Sequence, residues 1–583
     1  MVKKLASYIK EFKLATILTP TCAALEVVME TLLPLMMAGI IDKGITPGNM
    51  SEVYKYGAIM IVMAILSLTF GIVAGRLAAN AGAGFAANIR TAMYENIQTF
   101  AFKNIDKFST SGLVTRMTTD VTNLQNAFQM ILRMCVRAPM TLICALVMAF
   151  SISFKMSMIF IGAVLFLGTV LAIIVKTTMK LFEQVFKRYD DLNESVQENV
   201  NAIRVVKSFV REDYERNKFN KAADNIYKMF VKAESNIAFN APVMNLTVYS
   251  CVLAIAWIGA HLIASDELTT GELTTLLSYI MAILFSLMML SMIFVMITIS
   301  LASIRRIYEV LSEESSLVNP KNPDYEIPDG SVDFDHVTFS YNESGTRPVL
   351  KDIDLHIKSG ETIGIIGGTG SSKSSLVNLI SRLYDVTDGC VKVGGKDVRT
   401  YDLETLRNNV SVVLQKNVLF SGSILDNLRW GDENATEEEC IRACKLACAD
   451  EFITQMPDGY ETHIEQGGTN VSGGQKQRLC IARALLKKPK ILILDDSTSA
   501  VDTATDARIR KAFREEIPGT TKFIIAQRIS SVQDSDRIIV LENGEVNGFG
   551  THEELLAGND IYREVYDSQT QGSGDFDEKG GEA

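Results

Sequence analysis

Six long apolar stretches occupy the first half of the chain and limit what it can fold into. They cover roughly residues 15–41, 53–80, 128–152, 157–180, 243–265 and 273–301. Each is close to the roughly 20 residues that an α-helix needs to cross a bilayer. Buried helices of a soluble protein would explain one or two such stretches, but not six of this length. The pattern therefore predicts an all-α membrane domain with six spanning helices.

The connections between these stretches differ in charge. The outer connection 42–52 holds one Lys and the connection 265–272 holds no Lys or Arg, whereas residues 183–240 hold ten. Basic residues accumulate on the cytoplasmic side of a membrane. We therefore expect a multi-pass protein of the plasma membrane with both termini in the cytoplasm. Ahead of the first stretch, lysines surround an apolar helical face, which predicts a short helix lying in the interface; that face holds Val2, Leu5, Ile9 and Phe12.

The two inner connections are long and keep a helical periodicity, so the spanning helices are expected to continue into the cytoplasm. Each contains one polar interruption where a turn is expected, at residues 103–108 and 211–216. Such tips are suited to touch a soluble domain and relay its motion.

Five charged residues fall inside or beside the apolar stretches, where charge is costly. They are Glu26, Glu30, Arg76, Arg133 and Arg137. Two interpretations stay open at this point. The residues pair between helices or face a water-filled cavity for structural reasons, or they contact a cationic or polar substrate directly.

The composition changes after the last apolar stretch. Three prolines mark a polar linker at 319–330, between a membrane domain at 1–318 and a second domain at 331–567. The residues from 568 to 583 are rich in Gly, Gln and charge, and we expect a disordered tail. Strand-like and helix-like segments alternate in the second domain, which predicts an α/β fold.

A glycine-rich turn in the second domain has the pattern of a phosphate-binding loop. The apolar run 362–366 predicts a buried strand, and 374–383 has the apolar spacing of a helix. Between them the chain matches G-x-x-x-x-G-K-[ST] except that Ser372 replaces the last glycine. Backbone N–H groups of such a turn can wrap a phosphate. Lys373 is expected to reach the β- and γ-phosphates and the Ser374 hydroxyl to contact Mg²⁺, while the Ser372 side chain crowds the turn.

Two further segments fit the same chemistry. The apolar strand 490–494 ends in Asp495 and Asp496, where a P-loop ATPase needs one carboxylate for Mg²⁺ and a neighbouring group to polarise water. Upstream, the sequence S-G-G-Q at 472–475 precedes a helix, so it forms a second phosphate-binding helix N-terminus.

Six spans followed by these motifs resemble a half-transporter of the ATP-binding cassette exporter family, and the resemblance covers nearly the whole chain. It implies that Tyr341 stacks on adenine and that Gln415 senses Mg²⁺ and the membrane domain. Residues 499–502 correspond to the D-loop, and the two polar tips resemble coupling helices. The implied Mg²⁺ ligands are Ser374, Gln415 and Asp495. The implied ATP contacts are the Walker A residues Gly367, Gly368, Thr369, Gly370, Ser371, Ser372, Lys373, Ser374 and Ser375, and the signature residues Ser472, Gly473, Gly474 and Gln475.

Three departures from the family pattern fall on the side of one ATP site. Asp496 stands where the family has the Walker B Glu, Gln527 stands where it has the switch His, and Ser372 replaces a Walker A glycine. Asp is one methylene shorter than Glu, so its carboxylate falls back by about 1 Å, enough to cost on the order of 10²-fold in rate. Gln527 can hydrogen-bond a phosphate but carries no ionisable ring.

The resemblance therefore implies a heterodimeric ATP-driven exporter of hydrophobic or amphiphilic compounds, in which this chain's own Walker site hydrolyses ATP poorly and its intact signature completes the partner's site. The expected partner is a second half-transporter with a Walker B Glu and a switch His. Export of a peptide or lipid, a homodimeric exporter with weak ATPase, and a membrane-anchored ATP-binding regulator are the alternatives. The net charge of −11 and the lack of a basic cluster with interleaved aromatics argue against a nucleic-acid partner.

Overall fold

The computed structural model describes residues 1–341, 348–368, 370–497 and 500–573. The described chain forms two compact units, one made of Met1–Thr99 and Ser109–Glu313 and the other of Phe100–Phe108 and Glu314–Ala583. The membrane unit therefore ends at Glu313, and a nine-residue piece from its first half belongs to the second unit. The predicted linker 319–330 lies inside the second unit.

The first 313 residues are helical almost throughout, and short 3-10 or π-helical turns join several of the helices. Among the described residues, six helices are long and apolar enough to cross a membrane, which confirms the predicted number. The helices are α1 Val2–Ala6, α2 Lys13–Ile40, α3 Met50–Gln98, α4 Phe102–Phe108, α5 Thr110–Thr115, α6 Val121–Ile152, α7 Phe154–Asn201, α8 Ile203–Ser208, α9 Glu212–Ala238, α10 Asn240–Ala264 and α11 Thr270–Ser312.

Three of the described spanning helices extend far beyond a bilayer, and one of them is α11 with 43 residues. α3 has 49 residues, so it is about 73 Å long at 1.5 Å per residue, against about 30 Å of hydrocarbon core. α7 has 48 residues. The expected helical excursions are therefore present in the structure.

The two polar tips differ from the expectation in detail. Residues 103–108 do not form an open turn but lie in the short helix α4. The second reversal occurs just before the predicted segment, where Val210 has a positive φ of 51°. The run 212–216 is the first turn of α9, whose acidic residues Glu212, Asp213 and Glu215 lie at the positive end of the helix dipole.

An apolar core holds the later spanning helices together. It joins α6, α7, α10 and α11, and its fully buried members include Phe160, Ile255 and Leu284. Tyr279 on α11 is also buried and donates its hydroxyl hydrogen to the backbone carbonyl of Thr31 on α2 over 2.8 Å. The loop Ser265–Thr269 ends in a capping box formed by Thr269 and Glu272, which fixes the start of α11.

The second unit contains a parallel sheet and an antiparallel sheet, as expected for an α/β nucleotide-binding domain. The larger sheet has the order β12-β11-β3-β10-β9-β6 and is parallel except for β12, and the smaller sheet has the order β2-β1-β4-β5. The strands are β1 Val332–Phe339, β2 Leu350–Ile357, β3 Thr362–Ile366, β4 Asp388–Val393, β5 Lys396–Asp397, β6 Val410–Val413, β7 Gly422–Ser423, β8 His463–Ile464, β9 Ile491–Asp495, β10 Thr521–Ile525, β11 Arg537–Glu542 and β12 Glu545–Gly550.

The helices of this unit bury two apolar clusters against the sheets, one with the antiparallel sheet and one with the helical segment after β6. The central strands β9 and β10 are buried along their whole length, as parallel strands covered on both faces must be. The helices are α12 Lys373–Ile380, α13 Leu403–Asn409, α14 Ile424–Leu428, α15 Glu437–Leu446, α16 Asp450–Ile453, α17 Gly473–Leu486, α18 Thr503–Glu516, α19 His552–Gly558 and α20 Asp560–Ser573.

The segment 568–573 is more ordered than its composition predicts. α20 continues to Ser573, six residues into the segment that was expected to be disordered. The side chain of Gln569 explains part of this order, because it makes two hydrogen bonds to the backbone of the 527–529 segment. The rest of the predicted tail, 574–583, lies outside the described residues.

Candidate functional site

Four neighbouring parallel strands bring the predicted nucleotide residues to one edge of the sheet. β3 leads into the glycine-rich loop, β10 is followed by Gln527, β9 ends at Asp495, and β6 is followed two residues later by Gln415. Ile525 of β10 is in register with Asp495 of β9. The carboxyl edge of an open α/β sheet is where ligands bind in this class of fold.

A cavity of about 560 Å³ lies at this edge. Predicted site residues from all four strand ends line it, together with apolar side chains from β11 and α20. The predicted residues among its lining are Gly367, Gly368, Gly370, Ser372, Lys373, Ser374, Ser375, Gln415, Asp495, Asp496 and Gln527. Thr369 and the D-loop residue Ser499 lie outside the described residues.

The glycine-rich loop wraps closely around its own backbone. A Cβ on Gly367, where φ is 158°, would lie 2.2 Å from the backbone oxygen of Leu541, so only glycine fits there. The Lys373 ammonium donates to the backbone oxygens of Gly367 and Gly368 over 2.8 and 2.9 Å and to the Ser371 hydroxyl over 3.3 Å. A phosphate must therefore displace these contacts to bind the Lys373 ammonium.

Ser372 has a left-handed backbone conformation, with φ of 75° and ψ of 23°, and it occupies the N-cap position of α12 without a side-chain cap hydrogen bond. This is the conformation that glycine adopts without cost and that an L-residue disfavours. The loop geometry at this position is therefore the one for which the motif specifies glycine, and the serine occupies it under strain.

The electrostatics of the cavity reflect burial of opposite charges. Burial lowers the pKa of the Lys373 ammonium, and the carboxylates of Asp495 and Asp496 oppose that shift. Burial raises the pKa of Asp495, and a hydrogen bond from the Ser374 hydroxyl acts in the opposite direction. Lys373 and Asp495 are thus opposite charges in a partly desolvated site. A ligand that brings both phosphate oxygens and a cation would stabilise both of them.

The donor set fits Mg²⁺. The buried Asp495 carboxylate, the Ser374 hydroxyl that bonds to it and the Gln415 amide all belong to the same cavity. Carboxylate, hydroxyl and amide oxygens are the hard ligands that Mg²⁺ uses together with substrate phosphates.

Asp496 and Gln527 form one polar pair. The Gln527 side-chain amide donates to Oδ2 of Asp496 over 2.9 Å. The backbone N–H of Asp496 donates to the Ile525 carbonyl over 3.1 Å, and Asp496 has a positive φ of 47°. The turn after β9 is therefore tied to the end of β10.

Tyr341 lies beside the glycine-rich loop and lines a neighbouring cavity together with Phe339 and Tyr384. Its hydroxyl is 2.9 Å from the Ser375 hydroxyl. Its ring packs edge-to-face against Tyr384, with centroids 5.1 Å apart. The Tyr384 hydroxyl in turn donates to Asp106 of α4 over 2.9 Å, and burial together with this carboxylate raises the pKa of Tyr384.

The signature segment lies at the start of α17. Ser472 and Gln475 form a reciprocal capping box: the Ser472 hydroxyl accepts from the Gln475 N–H over 3.3 Å and the Ser472 N–H donates to the Gln475 side chain over 2.8 Å. A Cβ on Gly474 would lie 2.7 Å from the Ala500 carbonyl. Ser472 and Gly473 are exposed, so this helix end is open to a ligand from outside.

Two family models match the chain. One, described as an ABC transporter transmembrane region, covers residues 16–308, and the other, described as ABC transporter, covers residues 350–499. The chain belongs to the ABC transporter family. The second model includes the glycine-rich loop, the signature and the strand ending in Asp495.

Individual ABC proteins agree with this assignment along most of their length. The uncharacterised ABC transporter ATP-binding protein YfiB of Bacillus subtilis is 35% identical over 97% of this chain and 98% of its own. A fatty acid ABC transporter ATP-binding/permease protein of Mycobacterium bovis is 32% identical over 78% of this chain and 71% of its own. A bacterial Atm1-family ABC exporter with ATP bound shares the fold, with a TM-score of 0.78 at 23% identity over 97% and 98% of the two chains.

The chain accordingly has a membrane domain followed by an ATP-binding domain, with the fold of an ABC exporter half-transporter. Such a half-transporter sits in a membrane, pairs with another ABC subunit and couples ATP to transport.

Four of the five charged membrane residues pair between helices. Arg137 on α6 binds Glu30 on α2 over 2.9 Å and also contacts Glu26 at close range, and Arg133 lies 3.8 Å from Glu26. Glu26 is buried, and a Cβ on Gly71 of α3 would lie 2.8 Å from its Oε1. The structure therefore supports pairing between helices for these four residues. Arg76 is exposed on α3.

Sequence reasoning missed two groups near the nucleotide cavity. Tyr384 has no motif, although an aromatic residue shortly after the P-loop helix is a candidate for packing near a predicted adenine site. The residues Ile561, Tyr562 and Val565 of α20 line the cavity, but their segment was treated only as the end of the domain. Their spacing of three and four residues is the signal of a helix face.

Proposed function

We propose that this chain is the subunit of a heterodimeric ATP-driven exporter that carries the weak ATP site. The observation that carries the proposal is the Asp496–Gln527 pair: both residues depart from the family pattern, and they bond to each other over 2.9 Å at the edge of the nucleotide cavity. The signature Ser472, Gly473, Gly474 and Gln475 keeps the family pattern and is exposed at its first two residues, which suits a site shared with the partner.

The pair is a poor base for water activation on two grounds. The shorter side chain puts the Asp496 carboxylate about 1 Å further from a water molecule placed for a Glu. A misplacement of this size costs on the order of 10²-fold in rate. Moreover, Oδ2 of Asp496 already accepts a hydrogen bond from Gln527, so this oxygen is engaged before a water molecule arrives. Gln527 remains able to donate to a phosphate oxygen, so binding of ATP is expected to persist.

The other predicted nucleotide residues bind rather than react. Lys373 and the loop N–H groups hold the β- and γ-phosphates, Tyr341 stacks on adenine, and Ser374, Gln415 and Asp495 hold Mg²⁺. When bound, Mg²⁺ neutralises charge on the phosphate oxygens. The Lys373 ammonium must exchange its contacts with the Gly367 and Gly368 carbonyls for phosphate oxygens, so the loop is expected to relax when ATP binds.

ATP is proposed to bind at both shared sites, and hydrolysis is proposed to occur mainly at the site formed by the partner's Walker motifs and this chain's signature. Binding at both sites closes the two nucleotide domains and turns the membrane cavity outward, and hydrolysis reopens them. Coupling between the domains is proposed to use the polar tips, of which α4 is part of the nucleotide unit and accepts a hydrogen bond from Tyr384 at Asp106.

The proposed substrates are hydrophobic or amphiphilic compounds moved out across the plasma membrane, with both termini in the cytoplasm. The methionine-rich apolar spans suit a tolerant cavity, since methionine side chains are flexible and polarisable. A related protein is named as a fatty acid transporter. This name supports an amphiphilic substrate, and it also fits the alternative that the substrate is a lipid.

The test is steady-state ATPase of the purified chain in lipid nanodiscs, alone and together with a candidate partner half-transporter that has a Walker B Glu and a switch His. We expect ATP binding by this chain alone with little turnover, and robust turnover only in the mixed dimer. Robust turnover by the chain alone would contradict the heterodimer proposal and favour a homodimeric exporter.

A further inference from the structure

We propose that Gln569, on the last helix of the chain, is a positioning residue for the switch residue Gln527. Its side-chain amide bridges the backbone on both sides of Arg528. Nε2 of Gln569 donates to the Gln527 carbonyl over 2.8 Å, and Oε1 accepts from the Ile529 N–H over 2.8 Å. One primary amide thus satisfies two main-chain groups in the segment that carries the switch side chain.

These two hydrogen bonds continue a chain of contacts into the nucleotide cavity. The Gln527 side chain donates to Oδ2 of Asp496 over 2.9 Å, and both residues line the cavity. The 527–529 segment follows β10 and is irregular before a short turn at Ile529–Ser531, so the sheet ladder does not hold the Gln527 carbonyl or the Ile529 N–H. Gln569 supplies the partners that a sheet neighbour would otherwise provide.

α20 is itself fixed firmly enough to act as a support. Tyr562 is fully buried, its hydroxyl is 2.7 Å from Nδ1 of His552, and its N–H donates to Asn559 over 2.9 Å. Tyr562 and Gln569 are seven residues apart, which places them on the same face of the helix, and Val565 between them lines the nucleotide cavity. The same helix face therefore contacts the cavity wall and holds the switch segment.

This arrangement implies that α20 sets where the Gln527 side chain points. If the two backbone bonds are lost, the switch segment becomes mobile and Gln527 spends less time directed at the cavity. The effect should fall on a ligand that Gln527 can reach, which is the γ-phosphate of ATP, and not on ADP, which lacks it. The inference rests on the proposed switch position of Gln527, but the backbone contacts can be tested without it.

The experiment compares the full-length chain with its Gln569→Met variant in nanodiscs. Methionine keeps the length and helix propensity of glutamine but offers neither a donor nor a strong acceptor. Loss of hydrogen bonds of ordinary net strength should weaken ATP binding by about threefold to tenfold, with ADP binding changed by less than about twofold. Binding is measured by titration with Mg-ATP and Mg-ADP.

Hydrogen–deuterium exchange supplies a readout of the contact itself. The peptide containing the Ile529 amide should exchange faster in Gln569→Met, because that N–H loses its acceptor. In Gln569→Glu the acceptor for Ile529 remains while a carboxylate replaces the donor to the Gln527 carbonyl. This second variant should keep the Ile529 protection and still weaken ATP binding.

Two further variants separate positioning from folding. Ser568→Ala is the matched control, since Ser568 is exposed and its hydroxyl donates to the Val565 carbonyl one turn earlier; it should leave both readouts unchanged. In a Gln527→Ala background, Gln569→Met should no longer alter ATP affinity. Unchanged Ile529 exchange, an equal loss of ATP and ADP binding, or an undiminished effect in the Gln527→Ala background would overturn the proposal. A Gln527→Ala variant with normal ATP affinity and faster Ile529 exchange in Gln569→Met would instead fault the switch role of Gln527.

Discussion

The amide of Gln527 donates to Oδ2 of Asp496 over 2.9 Å, so the two residues that depart from the family pattern at the hydrolytic positions are direct partners. A substitution at either residue changes the hydrogen bonding of the other. Effects of residues in one hydrogen-bond network are not additive. The weakness proposed for this site therefore belongs to the pair, and repair is expected to need both members.

Asp496→Glu should restore part of the hydrolysis at this chain's Walker site. The longer side chain returns the carboxylate to the reach that activation of water requires, but Gln527 can still occupy it as a donor. Asp496→Glu combined with Gln527→His should restore more than the two single changes together predict. The measurement is single-turnover ATP cleavage in the assembled dimer with the partner's own Walker Lys replaced.

Gln527→His alone serves as the control for this comparison. It replaces the amide donor without extending the carboxylate, so it should give little gain. No gain in the double variant would place the defect elsewhere, for example in the strained Ser372 or in the partner's signature.

Substitutions in the two phosphate elements should have unequal effects on the dimer. Ser472→Arg or Gly473→Asp puts bulk or negative charge where the exposed start of α17 is proposed to meet the γ-phosphate at the partner's site. Either change should nearly abolish ATPase and transport. Lys373→Ala removes a phosphate cation only from the weak site, so a measurable fraction of turnover should remain.

ATPase rate and substrate efflux are compared for each variant, with folding checked by thermal shift. In a symmetric transporter the two lesions would be about equally harmful. A larger loss from Lys373→Ala than from Ser472→Arg would mean that this chain's own Walker site is the hydrolytic one.

Arg137→Met should destabilise the membrane unit, because it leaves Glu30 without its ion pair and Glu26 with only the 3.8 Å contact to Arg133. Removing one partner of a buried pair costs about 3–5 kcal/mol, and the partial exposure of Glu30 places the expected cost near the lower end. Lys155→Met is the matched control, since the Lys155–Glu267 pair is exposed and such pairs contribute about 0–1 kcal/mol.

Thermal unfolding in a fixed detergent compares these two variants. Adding Glu26→Gln to Arg137→Met should recover part of the lost stability by removing the uncompensated charge. Equal midpoints for Arg137→Met and Lys155→Met would show that the charged cluster does not hold α2 and α6 together.

Ser372→Gly should stabilise the glycine-rich loop and strengthen ATP binding. The left-handed conformation at φ 75° costs an L-residue about 1–2 kcal/mol, and glycine recovers part of this against its larger entropy in the unfolded chain. Gly370→Ser is the reverse control, because Gly370 has φ of 84° with no atoms within 4 Å of an added Cβ. It should weaken the loop through conformation alone, and opposite signs for the two variants are expected in both thermal shift and ATP titration.

The order of the elements was predictable because local rules fix it. Apolar length identifies a spanning helix wherever it occurs, and the residues Lys373, Asp495 and Gln527 lie at strand ends that the alternation of apolar runs locates. The order in which β3, β10, β9 and β6 lie side by side in the sheet follows from the fold class and not from the sequence of any one strand. The sequence could therefore indicate which residues meet in the cavity.

Contacts between distant segments were not predictable in the same way. The bonds from Gln569 to the 527–529 segment and from Tyr384 to Asp106 join residues 40 and 278 positions apart, and no periodicity or motif carries such information. The pairing of Arg137 with Glu26 and Glu30 was one of two open interpretations, because charge alone does not show which helices face each other. The order of 568–573 was missed because composition measures average polarity and not the two hydrogen bonds of one glutamine.

The nine residues Phe100–Phe108 belong to the nucleotide unit although more than two hundred residues separate them from the rest of it. Within that unit, Asn104 bonds to the backbone of Glu314 and Ser316, and Asp106 accepts from Tyr384. A fragment cut at the linker and produced as a free ATPase domain would therefore lack a piece of its own surface. Such a fragment would lose the contacts of Tyr384 with the Phe102 ring and the Asp106 carboxylate, and its solubility and nucleotide binding would describe an incomplete domain. Biochemistry on this transporter should use the whole chain or a fragment that carries α4 back on a designed connection.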